Sequence, residues 1–306
     1  MWCSDLPHRT TPWCGTVPDH DGCPSELRSE DARLAAALWA TGTWEVTDVA
    51  AGVVGPDGLL ATVGDPDGGF RLASVTKLFT AYACLIAVEE GTLDLDGAAG
   101  PPGCTVRHLL AHAGGYGFDT GVLAHPGRSR IYSNTGFEAL GDHLAAESAM
   151  TAAEYVTAAV FEPLGLTSTD LRDGSVAHGA WSTVRDLGRF TGELLRPTLI
   201  SAATLGKATR VQFPGLSGVL PGLGSHSPND WGLGFELRGH KTPHWTGHHN
   251  SPETFGHFGG SGTFLWVDPA IDRGLVALTS HGFGPWALDV WPRLSDHVVA
   301  VYDRGA

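Results

Sequence analysis

The chain has 306 residues, 42% of them hydrophobic and 17% charged, enough to bury a sizeable core in one large domain or two intimately packed ones. A net charge of −14 excludes nucleic acid and anionic membrane surfaces as expected partners, because both need a basic patch. No run of about 18 apolar residues marks a membrane span, and MWCSDLPHRTTPW has no basic stretch followed by an apolar one. No signal peptide is visible, so the expected location is cytoplasmic.

Residues 1 to 24 read as an N-terminal extension, loose and dispensable, ahead of a body over 25–306. Cys3, Cys14 and Cys23 are spaced unlike zinc ligands, which come as close pairs. Cys84, in an apolar helix, and Cys104, in a Gly/Pro-rich loop, have no obvious partner. Ser25 caps a helix to about Ala40. WEVTDVAAGVVGPDGLLATVG then reads as two strands around a Gly-Pro-Asp-Gly turn.

A helix starts near Ser74 and stops at Gly91. Residues from about 78 to 195 are mostly helical, including TVRHLLAHAGG. A capping box joins Thr151 to Glu154, and a helix capped by Ser182 stops at Pro197. From Trp231 the pattern turns to strands, WGLGFELR, GTFLWVDP and RGLVALTSH, before a last helix at Trp286–Tyr302. Strands at both ends of the chain predict one antiparallel sheet, from 45–65 and 231–281, flanked by helices and joined to a helical lobe, an α+β arrangement.

The chemistry starts at RLASVTKLFTAYACLIAVEEG, where Lys77 opens a run that otherwise reads as a buried helix. A charge there is costly unless something nearby needs it. Ser74 stands three residues earlier, one turn away on the same face, so the amine can reach the serine oxygen. A desolvated lysine has a lowered pKa and can take the proton that makes a serine nucleophilic. Alone, the pair is equally a helix cap and a snorkelling lysine. RIYSNTGFEALG adds Tyr132-Ser133-Asn134 in a turn before an apolar helix, and TFGHFGGSGTFLWVDP adds His257-Phe258-Gly259 beside a glycine cluster.

Ser74-x-x-Lys77, Tyr132-x-Asn134 and His257-x-Gly259, in that order and setting, resemble the serine β-lactamase and penicillin-binding-protein superfamily. The Tyr-x-Asn version resembles its class C branch, with D,D-peptidase and esterase relatives. HLLAHAGG, EPLGLTSTDL and AWSTVRDLGRF are similar to the same branch, over roughly residues 27 to 303. The resemblance implies a β-lactamase/transpeptidase-like fold and a serine hydrolase without cofactor or metal. It implies Ser74 as nucleophile, Lys77 with Tyr132 as proton-transfer pair, Asn134 as a positioning group, and the Gly260 N–H as second oxyanion donor after Gly259.

The family's usual third motif is Lys-Thr-Gly, so His257 replaces a fixed cation, and His281 stands where relatives often carry an arginine. Both anchors for a substrate carboxylate are softened, and charge is expected on them only at or below about pH 6.5. The expected function is esterase-like hydrolysis of a small ester or amide through an acyl-enzyme. A D,D-peptidase or weak β-lactamase, and a catalytically silent binding module on the same fold, are the alternatives. HWTGHHN (His244, His248, His249) lies in a loop without ligand spacing and is expected as solvent-exposed or rim histidines; Trp231 and Trp245 are candidates to line a pocket.

Overall fold

The computed structural model describes residues 25–302, so the expectations for residues 1 to 24 lie outside the described residues. Helix α1 (Ser25–Leu38) turns its buried Leu34 and Leu38 inward. The expected hairpin follows as β1 (Val49–Gly55) and β2 (Gly58–Val63). Gly58, at φ +122, takes a backbone conformation L-residues rarely adopt, which is why glycine ends this turn. After β3 (Phe70–Arg71), a 3₁₀ turn, Ala73–Val75, runs straight into α2 (Thr76–Glu90), closed by Gly91 at φ +80.

The lobe holds α3 (Val106–Leu110), β4 (Arg130–Ile131), α4 (Asn134–Ser148) and α5 (Ala152–Val156), whose Thr151–Glu154 capping box is present. Next come β5 (Trp181–Ser182), paired with β3, then α6 (Val184–Leu195) and α7 (Ala202–Ala208). The cap of α6 is Thr183 rather than Ser182: the Thr183 side chain accepts from the Asp186 N–H, while Ser182 sits on β5 and bonds Thr169. A hairpin of β6 (Gly218–Leu220) and β7 (Gly224–His226) pairs in parallel with β4.

The chain then builds β8 (Glu236–Leu237), β9 (Phe255–Gly259), β10 (Thr263–Asp268) and β11 (Arg273–Thr279), and ends in α8 (Pro285–Tyr302). WGLGFELR, expected as a full strand, contributes only β8. The sheet order is β2-β1-β11-β10-β9-β8, antiparallel throughout, with Val49 opposite Thr279 where the two ends of the chain meet. On β10, Phe264 and Trp266 pack on one face with α1 and α8, and Leu265 and Val267 on the other with α2 and α6. The strand is buried on both sides, so its apolar run is continuous. Helix α2 is buried all round and forms the axis on which sheet and lobe meet.

Of the three histidines of the loop, His248 and His249 are exposed as expected, and His244 departs from that expectation. His244 is buried and its Nε2 lies 2.8 Å from Glu236 Oε1, to which Lys241 Nζ donates at 2.6 Å; the indole N–H of Trp245 also donates to this carboxylate. The loop folds back over a carboxylate eight residues upstream, which a local reading of polarity cannot see. Burial alone would raise the Glu236 carboxyl, but Lys241 and His244 outweigh it and hold it well below the usual range. Removing one partner of such a pair strands a buried charge, so Glu236→Gln is expected to cost about 3 to 5 kcal/mol in denaturant unfolding. A loss under about 1 kcal/mol would show that the pair does not hold the loop.

Candidate active site

Ser74 occupies the 3₁₀ turn just before α2, and Ala73 beside it has φ +47, a left-handed backbone costing an L-residue on the order of 1–2 kcal/mol. Hydrogen bonds from several elements fix it there. Thr76 Oγ1 donates to the Ala73 carbonyl at 2.6 Å, and the Ala180 N–H donates to Thr76 Oγ1 at 3.0 Å. Thr263 Oγ1, on β10, donates to the Leu72 carbonyl at 2.8 Å. Gly259 allows this approach: a Cβ there would lie 2.1 Å from the Leu72 oxygen.

Lys77 is fully buried, and its company explains the charge at the start of an apolar helix. Its Nζ donates to Asn134 Oδ1 at 2.6 Å, to the Ala177 carbonyl at 3.0 Å and, more weakly, to Ser74 Oγ at 3.4 Å. Burial lowers its pKa to about 7, against the opposing pull of the Glu138 and Asp119 carboxylates. Asn134 opens α4, whose cap Ser133 accepts from the Gly136 N–H at 2.8 Å. The Asn134 Nδ2 donates to Asp119 Oδ1 at 2.8 Å, which turns the amide oxygen toward the lysine.

The centroid of the Tyr132 ring lies 4.9 Å from Lys77 Nζ, and the rings of His112, Trp231 and His257 are tilted against it. Its hydroxyl makes no hydrogen bond of acceptable geometry, although Ser74 is near enough to pull its pKa down against the larger rise that burial imposes. Tyr132 is therefore protonated at neutral pH. Just before it, Arg130 is buried with its guanidinium spent on the carbonyls of Ala111, Gln212 and Asn229, which ties the Tyr132 turn to the α3 end and to the segment before β8.

His257 sits on β9, opposite Leu265 of β10. Its Nδ1 is 2.6 Å from the Phe258 carbonyl, which can only accept, so Nδ1 carries the hydrogen and Nε2 a lone pair. Burial, with Lys77 adding to it, lowers its pKa to about 3. The expectation that this histidine gains charge below pH 6.5 is thus corrected: desolvation keeps it neutral throughout the physiological range. It also cannot serve as a donor through Nε2.

Ser74, Tyr132, His257 and Gly260 meet on one cavity of about 180 Å³, walled by Phe118, Leu220, Pro221, Trp231, Phe258 and Phe283. Its lining is mainly apolar and includes no lysine or arginine. Gly259 lies behind it, and His281 is exposed outside it with its ring edge against Trp286. Trp231 lines the cavity; Trp245 does not and belongs to the Glu236 cluster. Sequence reasoning passed over Asp119, His112 and Arg130, since each acts through a contact distant in the chain. Among the described residues no group of three or more His, Cys, Asp or Glu could hold a metal ion, and no helix is long and apolar enough to cross a membrane.

Comparison with known proteins matches this arrangement. The Beta-lactamase family model covers residues 34–299. A crystal structure of a β-lactamase from Mycobacterium bovis is 55% identical, covering 87% of this chain and 99% of that one at a TM-score of 0.85. EstCE1, a hydrolase with promiscuous acyltransferase activity, shares the fold at 16% identity, with a TM-score of 0.71 over 89% of this chain and 99% of that one. Penicillin-binding protein 4* of Bacillus subtilis (strain 168) is 28% identical over 134 residues, 33% of this chain; the match spans only 30% of that relative's length. With the three motifs assembled on one such fold, the chain belongs to the β-lactamase family, in the superfamily of serine β-lactamases and penicillin-binding-protein-like hydrolases.

Proposed function

We propose that this protein hydrolyses small esters or amides lacking a carboxylate, through an acyl-enzyme on Ser74. One observation carries the reading: a buried lysine of pKa about 7 touches Ser74 at the base of an apolar cavity without a fixed cation in its lining. In this reading Ser74 Oγ attacks the carbonyl carbon as its proton passes to Lys77, with the Tyr132 hydroxyl relaying it to the leaving alcohol or amine. A water molecule then repeats the sequence on the acyl-enzyme and frees the acid. Asn134 holds the lysine, and the Ser74 and Gly260 N–H groups meet the developing oxyanion.

Lys77 must be neutral to accept a proton, so kcat/KM for p-nitrophenyl butyrate is expected to rise about tenfold per pH unit up to about pH 7 and level off above. His257 stays neutral across the same range, so nitrocefin, which carries a carboxylate, is expected to be a poor substrate from about pH 5.5 to about pH 8.5. His257→Lys should improve the KM for nitrocefin over that for the butyrate by about 5-fold or more. A second reading, β-lactam hydrolysis, is favoured by the 55% identity to a protein described as a β-lactamase. Efficient nitrocefin turnover by the wild type at about pH 8 would promote it.

A further inference from the structure

We propose that Asp119 makes this site selective for substrates that carry a positively charged group close to the scissile ester or amide carbonyl. Asp119 follows Phe118, a half-exposed wall of the cavity. Its carboxylate is exposed, and its Oδ1 accepts from Asn134 Nδ2 at 2.8 Å. Asn134 in turn accepts from Lys77 at 2.6 Å, and Lys77 reaches Ser74 at 3.4 Å, so three hydrogen bonds separate the carboxylate from the nucleophile. No cation is paired with Asp119 among the described residues.

A second, independent group points the same way. His257 is 2% exposed and lines the cavity, and its Nε2, an acceptor by the tautomer its neighbour imposes, has no partner among the described residues. His257 thus sets an unpartnered acceptor nitrogen in the cavity wall and Asp119 a carboxylate one residue beyond the Phe118 wall, while Lys77 is committed to Asn134, Ala177 and Ser74, and Lys241, by the Trp231 wall, to Glu236 and the Asp230 carbonyl. An ammonium-bearing acyl group complements both; a carboxylate is repelled. The apolar walls take the remainder of the molecule.

The proposal rests on the acyl-enzyme reading, and its test separates the two. The measured quantity is kcat/KM for three p-nitrophenyl esters of similar length: 4-aminobutyrate, pentanoate and the half-ester of succinate. The wild type is expected to prefer the amine over the half-ester at low ionic strength, and the preference should shrink in about 1 M salt, where the screening length falls to about 3 Å. Asp119→Asn can still accept from Asn134 but lacks the charge, and should cut the amine-to-half-ester ratio by about 3- to 10-fold. Taking ratios cancels any loss common to all three esters. Asp119→Ala, which also releases Asn134, should show the same lowered ratio together with a lower kcat for every ester. An amine-to-half-ester ratio unchanged in Asp119→Asn, or insensitive to salt in the wild type, overturns the proposal. Whether turnover depends on Ser74 is read separately with Ser74→Ala, and bears on the acyl-enzyme reading alone.

Discussion

Ser74→Ala is expected to reduce p-nitrophenyl butyrate hydrolysis by on the order of 10⁴-fold or more while leaving the melting temperature nearly unchanged. The residue lies in a one-turn 3₁₀ segment, and its side chain makes a long 3.4 Å hydrogen bond to Lys77 and lies near the Tyr132 hydroxyl, so its removal costs the fold about 1 kcal/mol or less. Everything that positions the serine belongs to other residues: the Thr76 and Thr263 hydroxyls and the carbonyls of Leu72 and Ala73 remain in the variant. A folded protein without turnover is therefore the expected result. Retention of wild-type kcat would remove Ser74 from the chemistry.

Lys77 and Tyr132 should behave as one unit. Lys77→Met and Tyr132→Phe are each expected to cost about 10² to 10⁴ in kcat/KM, and the double variant about tenfold more at most. In the proposed mechanism a proton leaving Ser74 passes across a lysine of pKa about 7 and the hydroxyl of a ring whose centroid is 4.9 Å from that lysine, so either loss breaks the same path. Burial keeps Tyr132 protonated, so it cannot replace the lysine as base in the free enzyme. Lys77→Met should also flatten the rise in rate up to about pH 7, because the group that titrates there is gone. Losses that multiply in the double variant would mean that the two act independently.

Much of this was legible in the sequence because the deciding relations are local. The i, i+3 spacing places Ser74 and Lys77 on one face, and the run of β-branched and aromatic residues in GTFLWVDP identifies β10, whose apolar run is continuous because both its faces are buried. What was not legible depends on contacts made in three dimensions. The tautomer and neutrality of His257 follow from the Phe258 carbonyl and from burial under Trp231 and Tyr132. Asp119 reaches Asn134 from a loop 15 residues earlier, and nothing in FDTG announces that role. His244 looked wet in HWTGHHN and is dry because Glu236 recruits it. Thr183 rather than Ser182 caps α6 because pairing with β3 claims Ser182 first.

The central claim, a covalent acyl intermediate on Ser74, is tested most directly by mass spectrometry of the intact protein after reaction with a fluorophosphonate, followed by peptide mapping. The account predicts one adduct per chain, on the peptide spanning RLASVTK, blocked by prior acylation and absent in Ser74→Ala. Labelling should slow below about pH 7 as Lys77 takes up its proton. An adduct on any other residue, or none in a protein that still turns over p-nitrophenyl butyrate, would contradict it.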